Sequence, residues 1–187
     1  MKSRLVILLM LGAAALSADP EFTADGQLKR PTNYREWIYL SSGLGMIYGP
    51  AATANPNPSF DNVFVEPSAY KAFLATGKWP DKSMFVLEIR RARTEGSINK
   101  GGNFQGDVGA TEVEVKDTAR FPDGWGYFDF PRDATTAKAL PASAGCNSCH
   151  KPNGAVENTF VQFYPTLIEI ARQKGTLKPS YLSTESR

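Results

Sequence analysis

The sequence predicts an α+β domain, an antiparallel β-sheet with short helices and a C-terminal helical segment. Three observations carry this expectation. Met84-Phe85-Val86-Leu87-Glu88-Ile89 has strong β character, and other extended segments lie on either side of it. The helical patterns in the first half are short and end on turn signals. The tail beyond residue 150 changes to helical spacing, and no strand–helix–strand alternation precedes it.

Taken in order, Asp19 to Arg30 is polar, and Pro31-Thr32-Asn33 opens a short helical segment carrying Tyr34, Trp37 and Ile38. Ser41 to Tyr48 reads as a glycine-interrupted strand, and Ala51 to Ser59, rich in Pro, Asn and Ala, as a loop. Asn62 to Glu66 is extended, with Phe64 between Val63 and Val65. Pro67 suits a first helical turn, Tyr70, Phe73 and Leu74 follow at helical spacing, and Gly77 stops the helix. Ser83 to Arg91 is the clearest strand. Thr111 to Lys116 alternates apolar and acidic residues, which predicts one wet face. Gly124 to Phe130 supplies another strand through Trp125, Tyr127 and Phe128. In the tail, Phe160, Phe163, Leu167, Ile168 and Ala171 fall on one broad helical face ended by Gly175, with Pro165 as a kink or the first turn of a second helix.

Residues 1–18 have the form of a secretory signal peptide. Lys2 and Arg4 precede the apolar run Leu5 to Leu11, and small residues lead to a cleavage point after Ala18 or Ala15. The run is too short to span a bilayer, although an uncleaved anchor is the alternative. Export to the periplasm is expected, leaving residues 19–187 as a single domain. The chain has 21 basic and 19 acidic residues; the leader holds two of the basic ones, so the remainder is formally neutral. No basic stripe points to nucleic acid or an anionic membrane.

Chemistry concentrates in Cys146-Asn147-Ser148-Cys149-His150, which contains both cysteines and the one histidine of the chain. C-x-x-C-H is the attachment signal of a c-type haem. Residues three apart share a helical face, so two thiols can reach the two vinyl groups of one porphyrin. His150 would then ligate the iron as the proximal residue. A disulfide or a thioredoxin-like pair are the other readings of C-x-x-C, but the latter is expected in a βαβ setting. Zinc takes four ligands, and a carboxylate would have to join the three Cys and His residues.

The ordered stretches Asn33-Tyr34-Arg35-Glu36-Trp37, Pro67-Ser68-Ala69-Tyr70, Thr76-Gly77-Lys78-Trp79, Lys116-Asp117-Thr118-Ala119-Arg120-Phe121, Cys146 to Lys151 and Phe160-Val161-Gln162-Phe163-Tyr164-Pro165 resemble the cytochrome P-460 family, including its cytochrome c′-beta members. The resemblance implies a small antiparallel-sheet haem domain, usually a homodimer, with an open distal side. In the hydroxylamine-oxidising branch a strand lysine is cross-linked to the porphyrin; that position falls on Leu87 here, which cannot form the bond. Lys78 and Lys82 are the alternatives, placed around a turn. The cytochrome c′-beta branch lacks the cross-link and caps its distal pocket with phenylalanines. Phe85 shares a strand face with Leu87, and Phe60 is a second candidate cap. Cys146, Cys149, Phe60, Phe85 and Leu87 are thus the candidate cofactor-binding residues, and His150 the candidate metal ligand. Asp61, near a position that is basic in the hydroxylamine-oxidising relatives, reads as a solvated loop acid.

With one histidine, bis-His ligation within the chain is excluded. Met46 and Met84 are the candidate thioether ligands, Met46 reading as core and Met84 as facing away from Phe85. The preferred expectation is a five-coordinate haem with an apolar distal pocket that binds nitric oxide or a similar small gas, for sensing, buffering or detoxification. Oxidation of hydroxylamine is the enzymatic alternative, which a distal carboxylate would favour. An electron carrier with a periplasmic redox partner is the third.

Overall fold

A computed structural model describes residues 19–48 and 57–185 of the protein. The expected leader lies outside the described residues, as does the Pro/Asn/Ala loop as far as residue 56. Short strands β1 (Leu28–Lys29) and β7 (Thr136–Ala137) pair in a separate ribbon. The main sheet is five-stranded and antiparallel in the order β2 (Ile38–Leu44), β3 (Ser59–Val65), β4 (Met84–Arg93), β5 (Phe104–Lys116), β6 (Trp125–Pro131). The expected α+β architecture is therefore present. The first helical segment is only a 3-10 turn, Tyr34–Glu36, and Ile38 already belongs to β2. β5 begins well before Thr111, so the central pairing of the sheet is longer than the sequence pattern indicated.

Helix α1 (Pro67–Thr76) forms where its signals lie. The Glu66 carboxylate caps it, accepting from the backbone of Ser68 at 2.9 Å and Ala69 at 3.0 Å. Pro67 occupies the first turn, where no N–H is needed. Gly77 ends it in the left-handed region, φ 70°, where a Cβ would also meet Lys174 and Thr176.

β4 is buried on both faces because each packs on a different core. Phe85 points to one with Phe73, Trp79, Trp125, Val161 and Leu167. Met84 and Val86 point to the other with Trp37, Val113, Val115 and Phe128. A continuous apolar run is what a two-sided strand requires. The second face also buries Glu88, whose carboxylate is held by Arg35, Arg90 and the Tyr34 hydroxyl. Arg90 is thus committed to structure there and not to the first core's side.

The tail departs from the expected long helix. After α2 (Gly145–Asn153) come a 3-10 turn at Val161–Phe163, then α3 (Ile168–Lys174) and α4 (Pro179–Glu185). Pro165 neither kinks a helix nor starts one, since α3 begins three residues later. Its missing N–H and the extended backbone of Tyr164 break the spacing there. Leu167 and Ala171 are buried as expected, and Val161 is buried with them, whereas Phe163 is 42% exposed. Gly175 does stop α3, at φ 65°.

Candidate functional site

Opposed residues of an antiparallel sheet share a face, so its register fixes the floor of the site. Val65, Phe85, Glu114 and Tyr127 form one row; Ser41, Val63, Leu87 and Glu112 the next; Gly43, Asp61, Ile89 and Ala110 the third. Together with α2 and the tail, this face encloses a cavity of about 430 Å³. Phe85 and Leu87 line it, as do Cys146, Cys149 and His150. Phe60 does not: it lies one residue from Asp61 on β3, which turns its side chain to the opposite face. Its assignment to the pocket is corrected on that ground.

α2 presents Cys146, Cys149 and His150 within little more than one turn, and the two thiols are not bonded to each other. Burial foremost, and the nearby Glu112 charge, push the Cys146 thiol above its ordinary pKa. The helix ends at Gly154, where a Cβ would lie 2.8 Å from the Asn158 carbonyl carbon and from Thr159 N. Only glycine allows the chain to turn back so closely. The return brings the Asn158 carbonyl 2.9 Å from His150 Nδ1. Trp79 Nε1 anchors this loop by donating to Thr159 Oγ1 at 2.8 Å, and the Gln162 side chain ties it to Ala155 N and Asn153 O.

The imidazole of His150 lies between Tyr127 and Phe160, with ring centroids 4.7 and 4.3 Å away. Glu114 Oε1 stands 3.5 Å from Nδ1. Burial disfavours the imidazolium, but the Glu114 carboxylate and the Asn158 carbonyl outweigh it, leaving His150 above its ordinary pKa. A backbone acceptor at Nδ1 fixes the tautomer and leaves Nε2 as the lone-pair nitrogen, the arrangement of a metal-ligating histidine. Thiols three apart, a pre-oriented imidazole, and a cavity walled by Phe85, Leu87, Ile89 and Phe160 fit a haem. Among the described residues, no group of three or more His, Cys, Asp and Glu side chains is arranged to hold a metal ion by itself.

The lining is less apolar than expected. Asp61 is a strand residue facing the cavity, not a solvated loop acid, and Glu112 joins it there. Burial raises the pKa of both carboxyls; Asp129 adds to the effect at Glu112, while His150 opposes it. The alternation through Thr111–Lys116 predicts a wet face, but its acidic residues face the cavity and Val113 and Val115 the second core. Met46, expected in the core, also lines the cavity, packed so closely on Gly43 that a Cβ there would collide with its thioether. Lys82 pairs with Asp117 at 2.6 Å, and Lys78 is exposed; neither lines the cavity.

Residues 31–161, well over half of the chain, match the family model described as Cytochrome P460. No match is found among curated proteins.

Proposed function

The chain belongs to the cytochrome P460 family and is a haem protein; on that premise we propose that it is an exported, periplasmic mono-haem c-type cytochrome that binds nitric oxide or a similar small gas. Cys146 and Cys149 hold the haem through thioethers, and His150 Nε2 ligates its iron. Bound haem supplies an iron whose sixth position can take a diatomic ligand. The observation that carries this reading is the apolar strip Val63, Phe85, Leu87 and Ile89 across the cavity floor; the family resemblance adds that Leu87 falls where the hydroxylamine-oxidising branch has its cross-linking lysine. These side chains exclude water and offer no charge to a polar substrate.

The second reading, hydroxylamine oxidation, is favoured by Asp61 and Glu112, which bring two carboxyls to the same cavity. Burial raises the pKa of both carboxyls, so each holds its proton to higher pH than an exposed carboxyl, which suits a general acid or base. Steady-state hydroxylamine oxidation with an artificial electron acceptor, run beside a nitric oxide titration, separates the two. Tight gas binding without turnover is expected; turnover would give the enzymatic reading first place.

A homodimer is part of the proposal. Tyr39, Leu44, Ile47 and Tyr48 are exposed on or just beyond edge strand β2, which is an apolar surface suited to a second copy. Sedimentation of the holoprotein as a monomer would remove it.

A further inference from the structure

Two buried polar atoms, Glu114 Oε1 and the Tyr127 hydroxyl, have no hydrogen-bond partner among the described residues. They are not scattered. Glu114 and Tyr127 are directly paired across β5 and β6, and both border the ring of His150. A buried carboxylate oxygen without a donor is costly, and more so when charged, so its presence calls for an explanation. Glu114 is only 9% exposed. Its Oε1 is 3.5 Å from Nδ1, too long for a full hydrogen bond while the Asn158 carbonyl takes the proton at 2.9 Å. The N–H that Oε1 faces at this distance is the one on the candidate iron ligand.

Resting on the reading of His150 as that ligand, we propose that Glu114 is a positioning residue that shares the Nδ1 proton with the Asn158 carbonyl, raises the donor strength of His150 and lowers the reduction potential of the haem. Carboxylate partners of ligating histidines act in this way on metal sites generally. The pairing is local and directional. The charge sits behind the imidazole, where it favours the more positive oxidised iron, and the Tyr127 and Phe160 rings keep the imidazole from turning away. Tyr127 feels the same charge: burial foremost, then Glu114, drives its phenol far above the ordinary value.

The test uses the holoprotein with Glu114→Gln and Glu114→Asp, reading the iron–histidine stretch of the ferrous state by resonance Raman and the midpoint potential by spectroelectrochemistry. In Glu114→Gln the stretch should fall in frequency. The reduced state should become favoured by about tenfold, an upward shift of about 59 mV for one electron. Glu114→Asp keeps the charge but withdraws it by one methylene, so it should fall between parent and Gln variant on both readouts. If the Gln variant does not accumulate, the displacement of the Asp variant from the parent decides. Either readout unmoved overturns the proposal, as does an Asp variant displaced as far as the Gln variant. Absence of an iron–histidine stretch in the parent protein is a different failure, because it removes His150 as the ligand.

Discussion

Leu87 on β4 stands directly opposite Glu112 on β5, so an apolar side chain and a carboxylate share one row of the cavity floor. The pair divides the two functional readings between its members. Glu112→Gln should leave gas affinity unchanged, because a neutral diatomic needs no proton. Any hydroxylamine turnover should fall by about 100-fold or more, the contribution of one positioned acid or base. Parallel kinetics on the two proteins check this, and a large loss of gas affinity would show that Glu112 acts on the gas itself.

Glu88 gives a stability prediction with a defined sign in pH. Burial pushes its carboxyl up, but the bonds from Arg90, Tyr34 and Arg35 outweigh this and hold it below the ordinary value. Burial and the bond to Glu88 in turn push Tyr34 up to about 12. A depressed folded pKa contributes stability above the unfolded value that is lost as pH falls through the folded one. The contribution of Glu88 to the melting temperature should thus be level above about pH 5 and decline in acid. Glu88→Ala should cost about 3 kcal/mol, the low end for breaking a buried pair, because Arg35 is half exposed and can be hydrated. It should also flatten the acid slope. Denaturant melts across pH check both.

Trp79 connects the fold to the site. It packs on Phe73 and Phe85 at centroid distances of 4.1 and 4.7 Å and donates to Thr159 in the loop that delivers Asn158 to His150. Trp79→Ala should cost about 4 kcal/mol. Trp79→Phe should lose about 1 kcal/mol for the hydrogen bond, since Thr159 keeps Val156 O as its acceptor. Denaturant titration of the holoproteins measures the difference. Equal losses in the two variants would mean that packing on Phe73 and Phe85 matters less than the indole N–H.

The fold was legible where a local signal acts alone. Pro67 and Gly77 bound a helix because their backbone preferences are intrinsic, and the apolar run at Met84–Ile89 reports a strand covered on both sides. C-x-x-C-H named the cysteines and histidine of the site without further context. What could not be read depends on register and tertiary contact. Glu112 and Glu114 look like a wet face until β5 is seen between β4 and β6, with α2 and the tail over it. Phe60 and Asp61 exchange roles with a one-residue slip, because alternate strand residues face opposite ways. Asn158 acts through its carbonyl, which no side-chain motif records. The tail broke its helical spacing at Pro165, a residue whose effect the periodicity alone underweighted.

Met46 tests whether the protein supplies its own sixth ligand. Its thioether packs against Gly43, with the Tyr48 hydroxyl 3.6 Å away, which commits it to that wall of the cavity. Met46→Ala should therefore leave the ferrous absorption spectrum unchanged. Conversion from a low-spin to a high-spin spectrum in this variant would identify Met46 as a ligand and favour an electron carrier.

The most direct test of the account is the absorption spectrum of dithionite-reduced protein, matured where c-type haem is attached, before and after nitric oxide is added. A broad high-spin spectrum that shifts with the gas is the predicted result, since His150 would then be the sole protein ligand facing an open position. A sharp low-spin spectrum indifferent to the gas would contradict it.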